Sequence, residues 1–231
     1  MLRYLLICAF SLVLLGPEAQ SDHAQIQPAP AETSATSPLG QPIDGVAARI
    51  EDDVITESEV RELAAYQQLV DGKPKTRDEI LHLLFDQWMI RSEAAATKYA
   101  QPSSADVDRA YNEFVKQFPS VENFKQRCAD AGLSEPALRR MVQQQLYLAR
   151  FIDYRFRPAA QVTDQQVAAY YQNDFVPQLK ERHADVPPLD DVDDTIREVL
   201  ILRAIDERSA KWLDETRARL KIDLPPTEGR P

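Results

Sequence analysis

Helix-start sequences recur along this chain and divide most of it into amphipathic helical segments. Thr56 and Thr76 each stand three residues before a glutamate. In this capping-box spacing, a hydroxyl and a carboxylate satisfy the free backbone N–H groups of a helix start. Later segments also follow a serine or threonine, and apolar residues then recur at helical spacing. The pattern predicts helices at about 57–70, 77–99, 104–118, 121–131, 135–156, 163–171 and 190–220.

Short β-prone pieces lie near both ends of this helical region. Residues 45–50 and 54–55 flank Glu51-Asp52-Asp53 and predict a small hairpin. Residues 221–224 predict one further strand. Because the hairpin offers the only obvious β partners, we expect the two ends to meet in a small sheet. The predicted fold class is mainly α, a multi-helix module with long helices and a small sheet of N-terminal hairpin and C-terminal strand.

Composition excludes several classes of function. The 231 residues carry 27 Lys and Arg against 37 Asp and Glu, a net charge of −10, which argues against a nucleic-acid partner. Only six glycines occur, and neither phosphate-binding glycine motif is present, so nucleotide chemistry is disfavoured.

The first residues have the pattern of a secretory signal. Arg3 precedes an apolar run of residues 4–15, and small residues follow up to Ser21. We predict a signal peptide at 1–21 and a periplasmic mature chain with no stable membrane span after cleavage. A permanent anchor is the alternative, but the run is short against the roughly 20 residues that cross a bilayer.

Composition also divides the remainder of the chain. Residues 22–42 are rich in Pro and Ala and predict a disordered linker. The folded domain is predicted at 43–224 and a disordered tail at 225–231. Because Cys8 leaves with the signal peptide, Cys128 remains without an intramolecular disulfide partner.

The order of segments resembles the periplasmic chaperone and foldase family that includes SurA, PpiD and PrsA. The resemblance is carried by 43–50 (Ile-Asp-Gly-Val-Ala-Ala-Arg-Ile), 54–60, 80–90, 138–154 and 162–167 (Val-Thr-Asp-Gln-Gln-Val). It implies a SurA N-terminal-type helical chaperone domain, closed by the helix at 190–220 and the strand at 221–224.

One departure from the family changes the expected chemistry. The resemblance implies a parvulin prolyl isomerase domain after Asn173, yet only about fifteen residues separate that point from the helix at Asp190. A domain of about 100 residues does not fit there. We therefore predict that the isomerase domain is missing and that the protein is not an enzyme.

No catalytic, cofactor or metal residue is predicted. The histidines, His23, His82 and His183, are isolated in the sequence, and a triad needs converging partners. Cys128 fits a small core side chain better than a redox thiol. The acidic run at 190–194 lacks the glycine and distal glutamate of a calcium loop, and acidic residues are also favoured at a helix start.

Apolar helical surface is the remaining candidate for function. Binding of unfolded polypeptide, such as outer-membrane protein, needs adaptable apolar groups that are partly exposed. The predicted binding residues are Phe85, Trp88, Met89, Tyr147, Phe151 and Tyr154. Because apolar contacts would carry it, weak and salt-tolerant binding is expected.

Two alternatives remain open for the function. One is residual prolyl isomerase activity, and the other is a dedicated role as the assembly partner of one envelope protein. The sequence also leaves open a homodimer in which the last helix is exchanged between copies.

Overall fold

The computed structural model describes residues 44–225. The predicted signal peptide and linker, and the tail beyond residue 225, lie outside the described residues. Strands β1 (Val46–Ile50) and β2 (Asp53–Thr56) form an antiparallel hairpin. Strand β3 (Ile222–Asp223) pairs antiparallel with the other edge of β1, giving the order β2-β1-β3. The two ends of the domain therefore meet in one small sheet, as predicted.

Helices make up most of the remaining structure, and the prediction of a mainly α fold with a small sheet is confirmed. Three of the helices begin with complete capping boxes, at Thr56, Thr76 and Thr163. The helices are α1 (Glu57–Asp71), α2 (Arg77–Ala96), α3 (Ser104–Val115), α4 (Val121–Asp130), α5 (Glu135–Phe156), α6 (Asp164–Tyr170), α7 (Val176–Glu181) and α8 (Leu189–Arg217).

A wide turn makes α6 and α7 one nearly continuous helix. A π-helical turn, Tyr171–Phe175, joins them directly. Pro177 follows. It has no backbone N–H to donate to the carbonyl four residues earlier, and its ring clashes with that carbonyl in a regular α-helix. A π turn is one of the recognised ways in which a helix absorbs such a residue. The mixed and polar segment predicted from Asn173 onward is therefore helical as far as Glu181.

Two clusters of buried apolar side chains form the core. The first lies among the sheet, α1, α3, α4 and the first halves of α2 and α5. The second lies among the last parts of α2 and α5 and the second half of α8. Because α2 and α5 contribute to both clusters, they are the central helices of the fold. Within residues 44–225, no helix is long and apolar enough to cross a membrane.

Candidate functional site

Four of the six predicted binding residues are buried. Phe85 and Met89 of α2 are 5% and 2% exposed, and Tyr147 and Phe151 of α5 are 6% and 1% exposed. Their expected partial exposure is therefore contradicted. The physical reason is that α2 and α5 are packed by neighbours on more than one side, so that aromatic residues at helical spacing fill the core.

Trp88 is half-buried and has a structural partner. Its indole N–H donates a hydrogen bond to the carboxylate of Asp53 at 2.7 Å. This bond joins the central helix α2 to the β-hairpin. The polar edge of the indole is therefore satisfied within the chain.

Tyr154 is the one exposed member of the predicted set, at 62%. Its ring lies 5.1 Å from that of Tyr99, which follows α2, and 6.5 Å from that of Phe151. Burial raises the pKa of the Tyr99 hydroxyl. Most of this aromatic group faces inward, so Tyr154 presents one ring to solvent rather than a broad surface.

A larger apolar surface lies elsewhere, in residues 163–200, which we call the arm. The arm contains the α6–α7 helix, the connection at 182–188 and the first part of α8. We call the remaining described residues, 44–162 and 201–225, the body. Helix α8 packs on α6 through its first part and on α2 and α5 through its later part. The arm is therefore a helical hairpin attached to the body by α8.

The arm buries little of its apolar side-chain surface. Of its twelve Val, Ile, Leu, Phe and Tyr side chains, only Val167 and Ile196 are buried. In the body, 25 of 45 Val, Ile, Leu, Met, Phe, Tyr and Trp side chains are buried. Two packed helices lack a third layer that would cover the edges of their contact. The result is a set of nine half-buried apolar side chains on the two helices, which we call the apolar seam, namely Tyr170, Tyr171, Phe175, Val176, Leu179, Leu189, Val192, Val199 and Leu200.

A few polar contacts hold the hairpin together. The Tyr171 hydroxyl donates a hydrogen bond to the carbonyl of Pro187 at 2.7 Å, which ties the α6–α7 helix to the connection before α8. Arg197 of α8 pairs with Asp164 of α6 at 2.8 Å and donates to the carbonyl of Val162 at 3.0 Å. These contacts position the two helices without covering the apolar seam.

The arm is also strongly acidic. It carries nine Asp and Glu against three Lys and Arg, whereas the body carries 24 against 22. Six of these nine side-chain carboxylates form neither an ion pair nor a hydrogen bond with a described residue, and five of the six residues are exposed. The six are Asp174, Glu181, Asp185, Asp190, Asp191 and Asp194.

The other reactive groups are not drawn together. Cys128 is a buried residue of α4. Burial raises the pKa of its thiol and so disfavours the reactive thiolate. His82 is exposed on α2, and His183 is exposed just after α7 with a left-handed backbone (φ 53°). In the described part of the chain, no three His, Cys, Asp or Glu side chains are placed to hold one metal ion.

An apolar spacing in the sequence indicates the helix of the arm, although the polar residues around it make the pattern hard to recognise. Val167, Tyr171, Phe175 and Leu179 recur every four residues. In a regular α-helix each such step rotates the side chain by about 40°, so the last of them would drift off the face. The π turn reduces that drift. Comparisons with known proteins add no identification, since no family model and no curated protein matches the chain.

Proposed function

We propose that this chain is an exported, chaperone-like protein that binds unfolded polypeptide without prolyl isomerase chemistry. The observation that carries the proposal is the apolar seam. Of the twelve large apolar side chains of the arm, ten are incompletely buried. The resemblance to the SurA, PpiD and PrsA family, carried by segments 43–50, 54–60, 80–90, 138–154 and 162–167, points in the same direction.

The seam suits an extended ligand better than a folded one. Its apolar side chains follow the α6–α7 helix and the first part of α8, and an extended chain presents a side chain to the same face at every second residue. Covering apolar surface contributes about 25 cal/mol per Å². Much of that gain is offset by the cost of ordering a flexible ligand, so binding is expected to be weak and broad in specificity.

The connection between α7 and α8 supports the absence of an isomerase domain from the proposal. Residues 182–188 alone link the two helices, and Tyr171 holds this link through the carbonyl of Pro187. A domain of about 100 residues has no place at this point of the chain. A proline-peptide isomerisation assay tests this part, and we expect only the uncatalysed rate.

An aggregation-suppression assay tests the binding. A urea-unfolded outer-membrane protein is diluted into buffer with increasing amounts of the purified protein, and light scattering is followed. We expect reduced scattering, and little protection from the variant Leu179→Ser/Val186→Ser, which removes two accessible apolar side chains of the arm. Val121→Ser is the matched control, because Val121 is 48% exposed at the start of α4 in the body.

The outcomes separate the candidate surfaces. Equal protection by both variants and the unchanged protein would place binding outside the arm, with Tyr154 as the next surface to substitute. An absence of protection by the unchanged protein at stoichiometric excess would contradict the proposed function itself.

A further inference from the structure

We infer that the arm selects extended segments in which Lys or Arg side chains lie on the same face as apolar ones. This inference rests on the proposed function and names the class of polypeptide that the seam binds. The observation behind it is that the apolar seam and most of the excess negative charge of the described chain occupy the same 38 residues. A ligand that covers the seam therefore enters a strongly acidic environment.

Acidic residues lie next to seam residues in the sequence of both helices of the arm. In α8, half-buried Leu189 is followed by Asp190 and Asp191, and half-buried Val192 lies two residues before Asp194. At the other helix, Asp174 directly precedes Phe175 in the π turn. Because neighbouring positions of a helix project to different sides, the apolar side chains lie in the seam while the carboxylates stand beside it.

The carboxylates are available to a ligand because the chain does not neutralise them. Arg197 is engaged by Asp164 and Asp193, and Arg157 of the body is engaged by Glu198 and Asp153. Two cations remain in the arm, Lys180 and Arg182, and neither forms an ion pair with a described residue. Cationic groups on a ligand would therefore gain attraction without first breaking an ion pair of the protein.

The same charge argues against a second copy as the occupant. A symmetric dimer through the arm would place one excess of six negative charges against another, since a two-fold contact joins the same patch of both copies. Like charges across an interface disfavour association. A partner of opposite charge fits the surface better, which commits the inference to cationic, apolar polypeptide segments.

Three peptides of equal length test the inference. In each, Leu and a test residue take turns at every second position, so that both lie on the same face of an extended chain. The test residue is Lys, Gln or Glu, and the remaining positions are Ser. Binding to the purified protein is measured by fluorescence anisotropy at low and high salt. We expect the Lys peptide to bind about tenfold more tightly than the Gln peptide at low ionic strength, from several surface charge contacts. The Glu peptide should bind most weakly, and the differences should shrink near 1 M salt, where screening acts within about 3 Å.

A matched pair of variants locates the effect. Asp185→Asn/Asp191→Asn/Asp194→Asn removes three exposed, unpaired carboxylates of the arm. Asp52→Asn/Glu122→Gln/Glu207→Gln changes the net charge equally at exposed, unpaired positions of the body. We expect the arm variant to lose most of the preference for Lys over Gln and the body variant to keep it. Circular dichroism checks that both variants stay folded.

The results distinguish this inference from the proposed function. Equal, salt-independent binding of all three peptides would overturn the charge selection and leave the proposed function standing. Binding of none would remove both. A Lys preference lost in the body variant but kept in the arm variant would overturn the inference, as would a concentration-dependent dimer in sedimentation that dissociates with Leu179→Ser/Val186→Ser.

Discussion

The body and the arm are built from similar amphipathic helices but differ in how many neighbours each helix has. In the body, α2 contacts α1, α5 and α8, and the sheet adds a further layer. In the arm, α6 packs on α8, and among the described helices the α6–α7 helix has no more than minor contacts with any other. More than half of the large apolar side chains of the body are buried, against two of twelve in the arm.

This difference teaches that helix formation and core formation are separate requirements. The arm has a complete capping box at Thr163, so its helix begins with the same local chemistry as α1 and α2. Without a third layer, however, it gains little hydrophobic stabilisation. Regions with few buried apolar contacts open locally at lower free energy than a core. A surface meant for transient binding is drawn from such regions.

The largest expected contrast comes from one phenylalanine in each region. Phe151→Ala empties a fully buried position of the second cluster and should lower the free energy of unfolding by about 4 kcal/mol. Phe175→Ala, at a half-buried position of the arm, should cost about 1 kcal/mol. Urea unfolding followed by circular dichroism measures both. Equal losses would mean that the arm is packed as tightly as the body.

Ion pairs should show the same contrast at smaller size. Asp86 and Arg217 form a close, largely buried pair between α2 and α8 in the body. Burial of the Asp86 carboxyl disfavours its charged form more than nearby Arg217 favours it, so the pKa of Asp86 is raised. Asp86→Ala leaves the guanidinium with Asp214 alone and should cost about 2 kcal/mol. Glu198→Ala breaks a half-exposed pair between the arm and Arg157, and should cost about 0.5 kcal/mol.

A double variant identifies the cause of the larger loss. Asp86→Leu/Arg217→Met removes both charges, and we expect it to regain most of the stability lost in Asp86→Ala, because no unpaired charge then stays buried. Continued loss in the double variant would mean that packing around these side chains, rather than the ion pair, holds α8 to α2.

Removal of equivalent capping boxes in the two regions should cost the same stability at the helix start but affect different parts of the chain. Thr56→Ala and Thr163→Ala each remove the hydroxyl that accepts the backbone N–H of the third helical residue, at a cost of about 1 kcal/mol. Hydrogen exchange should show faster opening throughout the body for Thr56→Ala and within residues 163–200 alone for Thr163→Ala. Faster exchange of the whole chain in both variants would show that the arm and the body unfold as one unit.

Local signals in the sequence were sufficient for the order of helices and for the sheet. The predicted bounds of α1, α4 and α5 agree with the structure to within a residue, because caps and helix ends are determined by neighbouring residues. The segment from Asn173 to Glu181 was missed, because Pro177 and polar residues conceal a helix that continues through a π turn.

Burial was harder to predict than helical structure. Phe151 of α5 and Phe175 of the arm both stand in amphipathic segments, yet only Phe151 is buried. The difference depends on which helices come together in three dimensions, and periodicity does not carry that information. The candidate binding surface is therefore the arm rather than the aromatic residues of α2 and α5.

The smallest expected effect is a pH dependence of opposite sign in the two regions. The hydrogen bond from Arg157 lowers the pKa of Glu198 below its usual 4.5, so its contribution is present above that value and is lost as the pH falls through the lowered pKa. Asp86 has a raised pKa, so its contribution is present below its usual 3.8 and is lost as the pH rises through the raised value. Acidification from neutral pH should therefore loosen the attachment of the arm, whereas protonation of Asp86, which its raised pKa favours in the folded state, should not lower the stability of the body.

Hydrogen exchange of the arm relative to the body, compared between neutral pH and about pH 4 and corrected for the intrinsic rate, measures this difference. We expect about 0.5 kcal/mol of acid-dependent opening at the arm, because the pair is half-exposed and partly screened. Glu198→Gln should abolish this part of the acid dependence at the arm, and Asp86→Asn should leave it unchanged while altering only the body. An arm that opens equally with acid in Glu198→Gln would mean that another of its many carboxylates, rather than the contact with Arg157, couples the arm to the body.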